Sequence, residues 1–348
     1  MNPLGIHELK LLLQRQLGDG LVVVVGSGLS CSEGLPSMHD LAKHLLAKVG
    51  SGLSSEDAAL WGKIAPLIKK NGLESALFSI GPTQTLEGAI AAFTTELILE
   101  FEKKVVQEVF EGKRILRFTR LVQHLLKPPG GLPVVTTNYD RLIEIACEEA
   151  GLGVDTLFVG SFAGELNEYE SKMSFLRDAK LQRSQVRFRF RERANVFKPH
   201  GSLDWYQRAG KPVRFSGDLS STRLVITPGL NKFRNGYESP FDRHRERANR
   251  AIDGAGRFLV VGYGFNDDHL QTHLIPMIKG GKPTLVLCCT LSPNASKLVE
   301  ECPNLIALEQ AQARGVPGTR VLHGGQDYFF EGVRLWDLHN FVSEVLEP

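Results

Sequence analysis

The segment LVVVVGSGLS, residues 21–30, decides how this chain folds. A leucine and four valines follow one another without a polar residue, which predicts a short strand buried on both of its faces. Such strands occur in parallel sheets that carry helices on both sides. Two glycines follow at once and allow the backbone to turn tightly out of the strand. The segment therefore predicts an α/β fold with this strand near the centre of its sheet.

The rest of the chain alternates between strand and helix patterns, which is typical of a doubly wound parallel sheet of the Rossmann-like kind. Further strands are predicted at Leu132–Thr136, Arg257–Val261, Pro283–Cys289 and Leu305–Leu308. Helices are predicted within Met1–Gly20, from near Asp40 to Val49, through much of Ser54–Lys127, at Ile143–Ala150 and at Leu335–Leu346. We expect one domain over residues 1–348, with a mainly helical insertion at about 50–130 and smaller insertions around a cleft at about 155–197 and 203–255.

Composition excludes several classes of protein. The chain has 348 residues, a net charge of +2 and 42% hydrophobic residues, so a sizeable core is available and no general attraction to nucleic acid or membranes is expected. Neither a signal-peptide pattern nor an apolar run long enough to span a bilayer is found, which predicts a cytoplasmic protein.

The five cysteines form no C-x-x-C pair, so the sequence offers no zinc ribbon and no redox dithiol. Cys288 and Cys289 lie in an apolar run and are predicted to be buried strand residues. Cys31 could be reactive if exposed, although a packing role is favoured.

The loop after the first strand is the first candidate site. Gly26, Ser27, Gly28 and Ser30 could bring bare N–H groups and hydroxyls close to the phosphates of a nucleotide. The full G-x-G-x-x-G pattern is absent because Cys31 stands at its third glycine, which argues against an ordinary dinucleotide-binding dehydrogenase. The alternative is a purely structural turn between strand and helix.

A second candidate follows the strand Leu132–Thr136. Asn138 and Asp140 come where ligands bind in doubly wound sheets, and their side chains could hold a water molecule, a sugar hydroxyl or a carboxamide. The alternative is that one of them caps the following helix, a position that both residue types favour.

The third candidate is His200, which stands between Pro199 and Gly201 and so lies on a rigid turn. Histidine titrates near neutral pH and suits a general base that acts on water or a ribose hydroxyl. The alternative is a structural histidine, because the chain has ten of them.

The fourth candidate follows the strand Arg257–Val261. Gly262 and Gly264 permit the close approach of an adenosine, and Tyr263, Asn266 and Asp267 are the candidate contacts around it. We expect Asn266, Asp267 or Asp268 to cap the next helix as well.

The order of these four segments resembles the Sir2 family, and most closely its bacterial defence branch of Sir2-like NAD hydrolases. The resemblance covers roughly residues 20–290. Gly26–Ser30 stands where sirtuins carry their glycine-rich NAD loop, Thr137–Asp140 matches their Gln-Asn-x-Asp element except that Thr137 replaces the Gln, and His200–Gly201 matches the catalytic His-Gly.

The resemblance implies a role for each segment. Asn138 would orient the water or the ribose, Asp140 would hold the nicotinamide ribose or carboxamide, and His200 would be the base. The Gly262 segment would contact the adenosine half, NAD would be the substrate, and no metal is predicted.

Two departures from the family bear on the reaction. The region between His200 and Gly262 contains no cysteine, whereas deacylases of this family carry paired zinc-binding cysteines. The Asp-Phe-Arg that often follows the glycine loop is replaced by Ser37-Met38-His39-Asp40. The missing zinc module puts the usual cleft for an acyl-lysine peptide in doubt, which favours hydrolysis of NAD to nicotinamide and ADP-ribose over protein deacylation.

The resemblance further implies a triggered effector that depletes NAD in antiviral defence. A homo-oligomer is expected, and a HerA-like hexameric ATPase or a short Argonaute system is the candidate partner. An NAD or ADP-ribose sensor without turnover and an NAD-dependent protein deacylase are the alternatives.

Two basic stretches complete the sequence. Arg183–Arg193 alternates arginines with Val186, Phe188 and Phe190, which predicts a strand with one arginine face, and Arg243–Arg247 is predicted to be helical. Either could bind nucleic acid or an acidic surface. A solvated or subunit-facing strand is favoured, because the overall charge is balanced.

Overall fold

A computed structural model of the chain describes residues 4–182, 185–227 and 238–347. The strands in chain order are β1 (Leu21–Val25), β2 (Leu132–Thr136), β3 (Gly153–Asp155), β4 (Phe158–Val159), β5 (Gly164–Leu166), β6 (Leu176–Gln182), β7 (Gln185–Phe190), β8 (Arg193–Phe197), β9 (Gly201–Arg208), β10 (Lys211–Arg214), β11 (Arg223–Val225), β12 (Arg257–Val261), β13 (Thr284–Leu287), β14 (Leu305–Ala313), β15 (Val316–His323) and β16 (Gln326–Glu331).

The helices are α1 (Ile6–Arg15), α2 (Ser27–Ser32), α3 (Met38–Lys48), α4 (Ser55–Asn71), α5 (Leu73–Ser79), α6 (Gln84–Phe110), α7 (Arg117–His124), α8 (Leu142–Glu149), α9 (Glu168–Met173), α10 (Phe241–Asp253), α11 (Asp268–Lys279), α12 (Pro293–Glu301) and α13 (Leu338–Phe341). A π-helical segment, Val342–Leu346, follows α13. None of the described helices combines the length and apolar character that crossing a bilayer requires.

A nine-stranded sheet organises the chain, in the order β16-β15-β14-β13-β12-β1-β2-β8-β3. The strands from β14 to β3 run parallel, and β15 and β16 are added antiparallel at one edge. Strands β1, β2 and β12 have the predicted bounds, and the predicted doubly wound α/β fold is confirmed.

Helices cover both faces of this sheet, which explains why β1 is an unbroken apolar run. Val23 and Val25 pack into a core with α1, α7, α8 and α13, whereas Val22 and Val24 pack into a core with α10, α11 and α12. All five residues of β1 are at most 5% exposed. A polar side chain at any of these positions would be buried without water on either face.

Helices α4 to α7 lie within the predicted helical insertion, and α3 to α6 form a core of their own around Leu45, Trp61 and Ile64. The longest helix, α6, joins this core to the main one, because Ile90 packs in the first and Val105 in the second. A separate five-stranded antiparallel sheet, β11-β9-β10-β5-β4, packs a small core of its own around Trp205.

The structure differs from the predicted elements in four places. The strand predicted at Pro283–Cys289 ends at Leu287, so the prediction that Cys288 and Cys289 are buried strand residues is wrong: Cys288 is half-buried and Cys289 is exposed. The helix predicted from near Asp40 is present as α3, but an additional helix that was not predicted, α2, starts at Ser27 inside the glycine loop. The predicted C-terminal helix is a short α-helix followed by a π-helical segment.

The fourth difference is at the C-terminal edge, where β14 continues to Ala313 and two further strands follow. Both connections are two-residue turns in which each residue has a positive φ, at Arg314-Gly315 and at Gly324-Gly325. Such turns join antiparallel strands in tight hairpins. Strand β8, which falls within the segment predicted as an insertion at 155–197, belongs to the main sheet, where it lies between β2 and the edge strand β3. Part of the insertion predicted at 203–255 lies outside the described residues.

Candidate active site

The four candidate segments follow four neighbouring strands, β12, β1, β2 and β8. These strands are parallel, so their carboxyl ends meet at one edge of the sheet. From β1 the chain winds to β2 in one direction and later to β12 in the other, which makes the β1–β12 boundary the switch point where doubly wound sheets bind ligands. The sequence motifs therefore converge because of strand order.

The glycines of the first and fourth segments pack against each other. The N–H of Gly28 donates to the carbonyl of Gly262 at 2.9 Å, and a Cβ on Gly262 would lie 2.5 Å from the nitrogen of Leu29. A Cβ on Gly26 would likewise lie 2.5 Å from the Gly262 carbonyl. Glycine is required at these positions because two segments of the backbone cross here at close range.

A network of hydrogen bonds joins the first and second segments. The side-chain amide of Asn138 donates to the Gly26 carbonyl at 3.0 Å and to the Ser30 hydroxyl at 2.8 Å. The Ser30 hydroxyl donates in turn to Asp140 Oδ2 at 2.7 Å. Asp140 Oδ1 accepts the N–H of Leu142 at 3.2 Å, so this carboxylate also serves the first turn of α8. The same position of Asp140 therefore allows it both to bond the first turn of α8 and to act as a site residue.

Burial dominates the electrostatics of Asp140. Its side chain is 3% exposed, and this burial raises the pKa of the carboxyl to about 6, although Lys198 and Ser30 act in the opposite direction. The carboxyl therefore changes its charge close to physiological pH.

His200, in the third segment, contacts Asp267 in the fourth. Its Nε2 lies 2.9 Å from Asp267 Oδ2, within ion-pair distance but without the alignment of a hydrogen bond. Asp267 also caps α11 through the N–H of Leu270, which confirms the predicted cap. Gly201 has a φ of +93°, and a Cβ there would lie 2.1 Å from the Leu224 carbonyl, so only glycine fits beside this histidine.

Lys198 connects the second and third segments through buried contacts, and it was not predicted as a site residue. It is 1% exposed, donates to the carbonyls of Tyr139 and Asp140, and pairs with Glu144 Oε1 at 3.1 Å. Its backbone N–H donates to His244 Nδ1 at 3.1 Å, and burial lowers the pKa of His244 to about 3, so that ring stays neutral. The adjacency of Lys198 to the Pro-His-Gly turn was the available signal.

A second missed pair anchors the Asn138 loop to the helical insertion. Arg141 donates from its backbone N–H to Glu102 Oε1 at 2.5 Å, and its guanidinium binds both carboxylate oxygens. Glu102 is fully buried in α6. Burial alone would lower the pKa of Arg141, but the hydrogen bonds and charge of Glu102 raise it.

Most of the candidate residues line one cavity of about 200 Å³. Ten of the eleven candidate residues line it, and they are Gly26, Ser27, Ser30, Asn138, Asp140, His200, Gly262, Tyr263, Asn266 and Asp267. Gly28 does not, and it lines a separate cavity beside Cys31 and Cys288. Helices α3, α5 and α6 add Leu41, Glu74 and Ile98 to the wall, and none of these was predicted. In the described part of the chain, no three His, Cys, Asp or Glu side chains are grouped to hold a metal ion.

Residues 133–293 match the family model described as the SIR2-like domain, which takes in the second, third and fourth segments. No curated protein sequence matches the chain.

One similar solved structure is that of a sirtuin, described as the structural basis of sirtuin substrate affinity. It has 12% identity and a TM-score of 0.40, and the match covers 84% of this chain and 91% of that chain. A Sir2 homologue in complex with NAD has 13% identity, a TM-score of 0.38 and coverage of 85% and 87%. Sir2 bound to an acetylated peptide has 11% identity, a TM-score of 0.39 and coverage of 84% and 90%. Residues 133–293 are thus similar to a SIR2-like domain.

Proposed function

We propose that this chain, with its SIR2-like residues 133–293, is an enzyme that hydrolyses NAD at the nicotinamide–ribose bond. The observation that carries the proposal is the meeting of a buried histidine with the Asn138–Ser30–Asp140 network in one cavity at the switch point of the sheet. The nicotinamide of NAD is a cationic ring that leaves the ribose as a neutral molecule, so its release needs little chemistry beyond a held water, a base and a binding surface for the ribose.

His200 is the proposed general base. Its Nε2 takes a proton from the attacking water as the water oxygen bonds to the ribose carbon and the electrons of the breaking bond pass to the nicotinamide nitrogen. Asp267, 2.9 Å away, then faces a protonated ring, which the carboxylate stabilises. The turn at Gly201 and the hydrogen bond from the Lys198 N–H to His244 fix the backbone on both sides of His200.

Asn138 and Asp140 are the proposed ribose contacts. Both amide hydrogens of Asn138 are directed at Gly26 and Ser30, so its carbonyl oxygen is the group left to orient a water or a hydroxyl. An ionised Asp140 would accept from ribose hydroxyls and stabilise positive charge on the ring in the transition state. The apolar side chains of Leu41 and Ile98 on the cavity wall would limit access of bulk water.

Product analysis tests the proposal. The purified chain is incubated with NAD, alone and with an acetylated peptide, and the products are separated by chromatography. We expect nicotinamide and ADP-ribose in equal amounts, with or without the peptide. Acyl-ADP-ribose formed only with the peptide would replace the proposal by a deacylase, and NAD binding without either product would replace it by a sensor.

The pH dependence of NAD binding tests the role of Asp140. Since burial places its pKa at about 6, we expect the affinity for NAD to fall as the pH is lowered through 6 and the carboxylate is protonated. Titration calorimetry between pH 5 and pH 8 measures this change. In Asp140→Asn, which cannot ionise, the step near pH 6 should be absent, and a step that persists there would assign the titration to another group.

The same shift affects stability with the opposite sign. The folded-state pKa of Asp140 lies above its ordinary value, so its contribution favours the folded state at low pH and is lost as the pH rises through about 6. Weaker NAD binding at low pH would therefore not arise from loss of this contribution.

A further inference from the structure

Strands β6 and β7 form an arm that stands apart from both larger sheets. Among the described residues the two strands pair with each other and with no other strand. Residues on both faces of the arm are exposed, including Lys180 and Arg187 on one face and Leu181 and Phe188 on the other. A two-stranded hairpin without cover is marginally stable in water.

The register of the arm separates an apolar face from a basic one. Ala179 lies opposite Phe188 and Leu181 opposite Val186, so these four residues share a face. Leu181, Val186 and Phe188 are 77%, 55% and 51% exposed. Exposed apolar clusters of this kind mark contact surfaces.

The opposite face confirms the predicted arginine side, with Arg187 opposite Lys180 and Arg189 opposite Asp178. Arg183, the first residue of the predicted stretch, lies outside the described residues. Asp178 interrupts the positive charge, and its carboxylate lies 3.6 Å from Lys180 Nζ on the same strand. This face is therefore mixed in charge along β6 and uniformly positive along β7.

That difference decides which edge can pair with a copy of itself. If two β6 strands run antiparallel about Ala179, Asp178 of each copy lies opposite Lys180 of the other, which gives two opposite-charge pairs. If two β7 strands run antiparallel about Phe188, Arg187 lies opposite Arg189 twice, and like charges face each other. The β6 edge is self-complementary and the β7 edge is not.

We propose that the arm is a dimerisation element in which a second copy of this chain pairs its β6 with β6 of the first. The product is a four-stranded antiparallel sheet with a twofold axis at Ala179. Its apolar face carries Leu181, Val186 and Phe188 from both copies, and the unpaired edge of β6 is covered. A nucleic-acid partner is disfavoured because Asp178 stands within the basic face and the net charge is only +2.

Sedimentation velocity over a concentration series tests the proposal on the full chain. We expect a dimer for the wild type, and an increase of about tenfold or more in its dissociation constant for Asp178→Lys or Lys180→Asp, since each change turns two attractive pairs into repulsive ones. The double variant D178K/K180D should dimerise like the wild type, because the opposite charges then face each other again.

Glu100→Lys is the matched control, because it changes the net charge as Asp178→Lys does and alters an exposed pair on α6. It should leave dimerisation unchanged, and circular dichroism verifies that all variants fold. A wild type that stays monomeric, a double variant as weak as the single ones, or association that appears only when duplex DNA is added would each overturn the proposal.

Discussion

Replacing His200 by alanine is expected to lower the rate of NAD hydrolysis by about 10²- to 10⁴-fold, the usual contribution of a general base. The fold should survive, because the lost contact is to Asp267, which keeps its cap on α11. The rate of nicotinamide release measures the effect, and circular dichroism measures the fold. Asn138→Ala should also abolish turnover, since it removes the side chain that orders Gly26 and Ser30.

His273→Ala provides the matched control. His273 also pairs with an aspartate, since its Nδ1 lies 2.8 Å from Asp253 Oδ1, but His273 is only half-buried, Asp253 is exposed, and neither lines the cavity. Its removal should leave the rate unchanged. Near-wild-type hydrolysis by His200→Ala would show that the histidine is structural, which was the alternative from sequence.

The second large effect is on stability. Glu102→Ala is expected to lower the free energy of unfolding by about 3–5 kcal/mol, the cost of leaving one member of a buried ion pair without its partner. Arg141 would lose both oxygens that its guanidinium binds, and its backbone N–H would lose its acceptor. Urea unfolding measures the change.

Two further variants test whether the buried ion pair causes this loss of stability. Glu102→Gln keeps an acceptor for the N–H and should cost less than Glu102→Ala. Glu100→Ala breaks an exposed pair with Lys104 on the same helix and should cost below about 1 kcal/mol. Equal losses from Glu100→Ala and Glu102→Ala would contradict the view that burial makes the Glu102–Arg141 pair important. Because Arg141 directly follows Asp140, Glu102→Ala should weaken NAD binding as well.

The main features of the site could be predicted from local sequence. A run of valines can be buried on both faces only in a covered parallel sheet, so β1 and the position of the loop after it follow from residues 21–30. The same reasoning places Asn138 and Asp140 after β2, and Gly262 after β12. Because parallel strands end at one edge, short motifs far apart in sequence were expected to meet.

Other features had weaker local signals. The Gly324-Gly325 turn is typical of a hairpin, yet β15 contains a proline and a glycine, which suppress a strand pattern. Cys288 and Cys289 continue an apolar run by composition, but the strand ends at Leu287. Whether the last residues of such a run are covered depends on neighbouring helices.

The sequence by itself therefore determined strands β1, β2 and β12, the doubly wound character of the sheet and the loops that carry Asn138, Asp140, His200 and Gly262. Only the tertiary structure decided which groups hold those loops in place. Lys198 pairs with Glu144, 54 residues earlier, and Arg141 pairs with Glu102, 39 residues earlier. Such pairs leave no periodic pattern in the sequence, because each depends on the distance between two elements that meet only when the whole chain has folded.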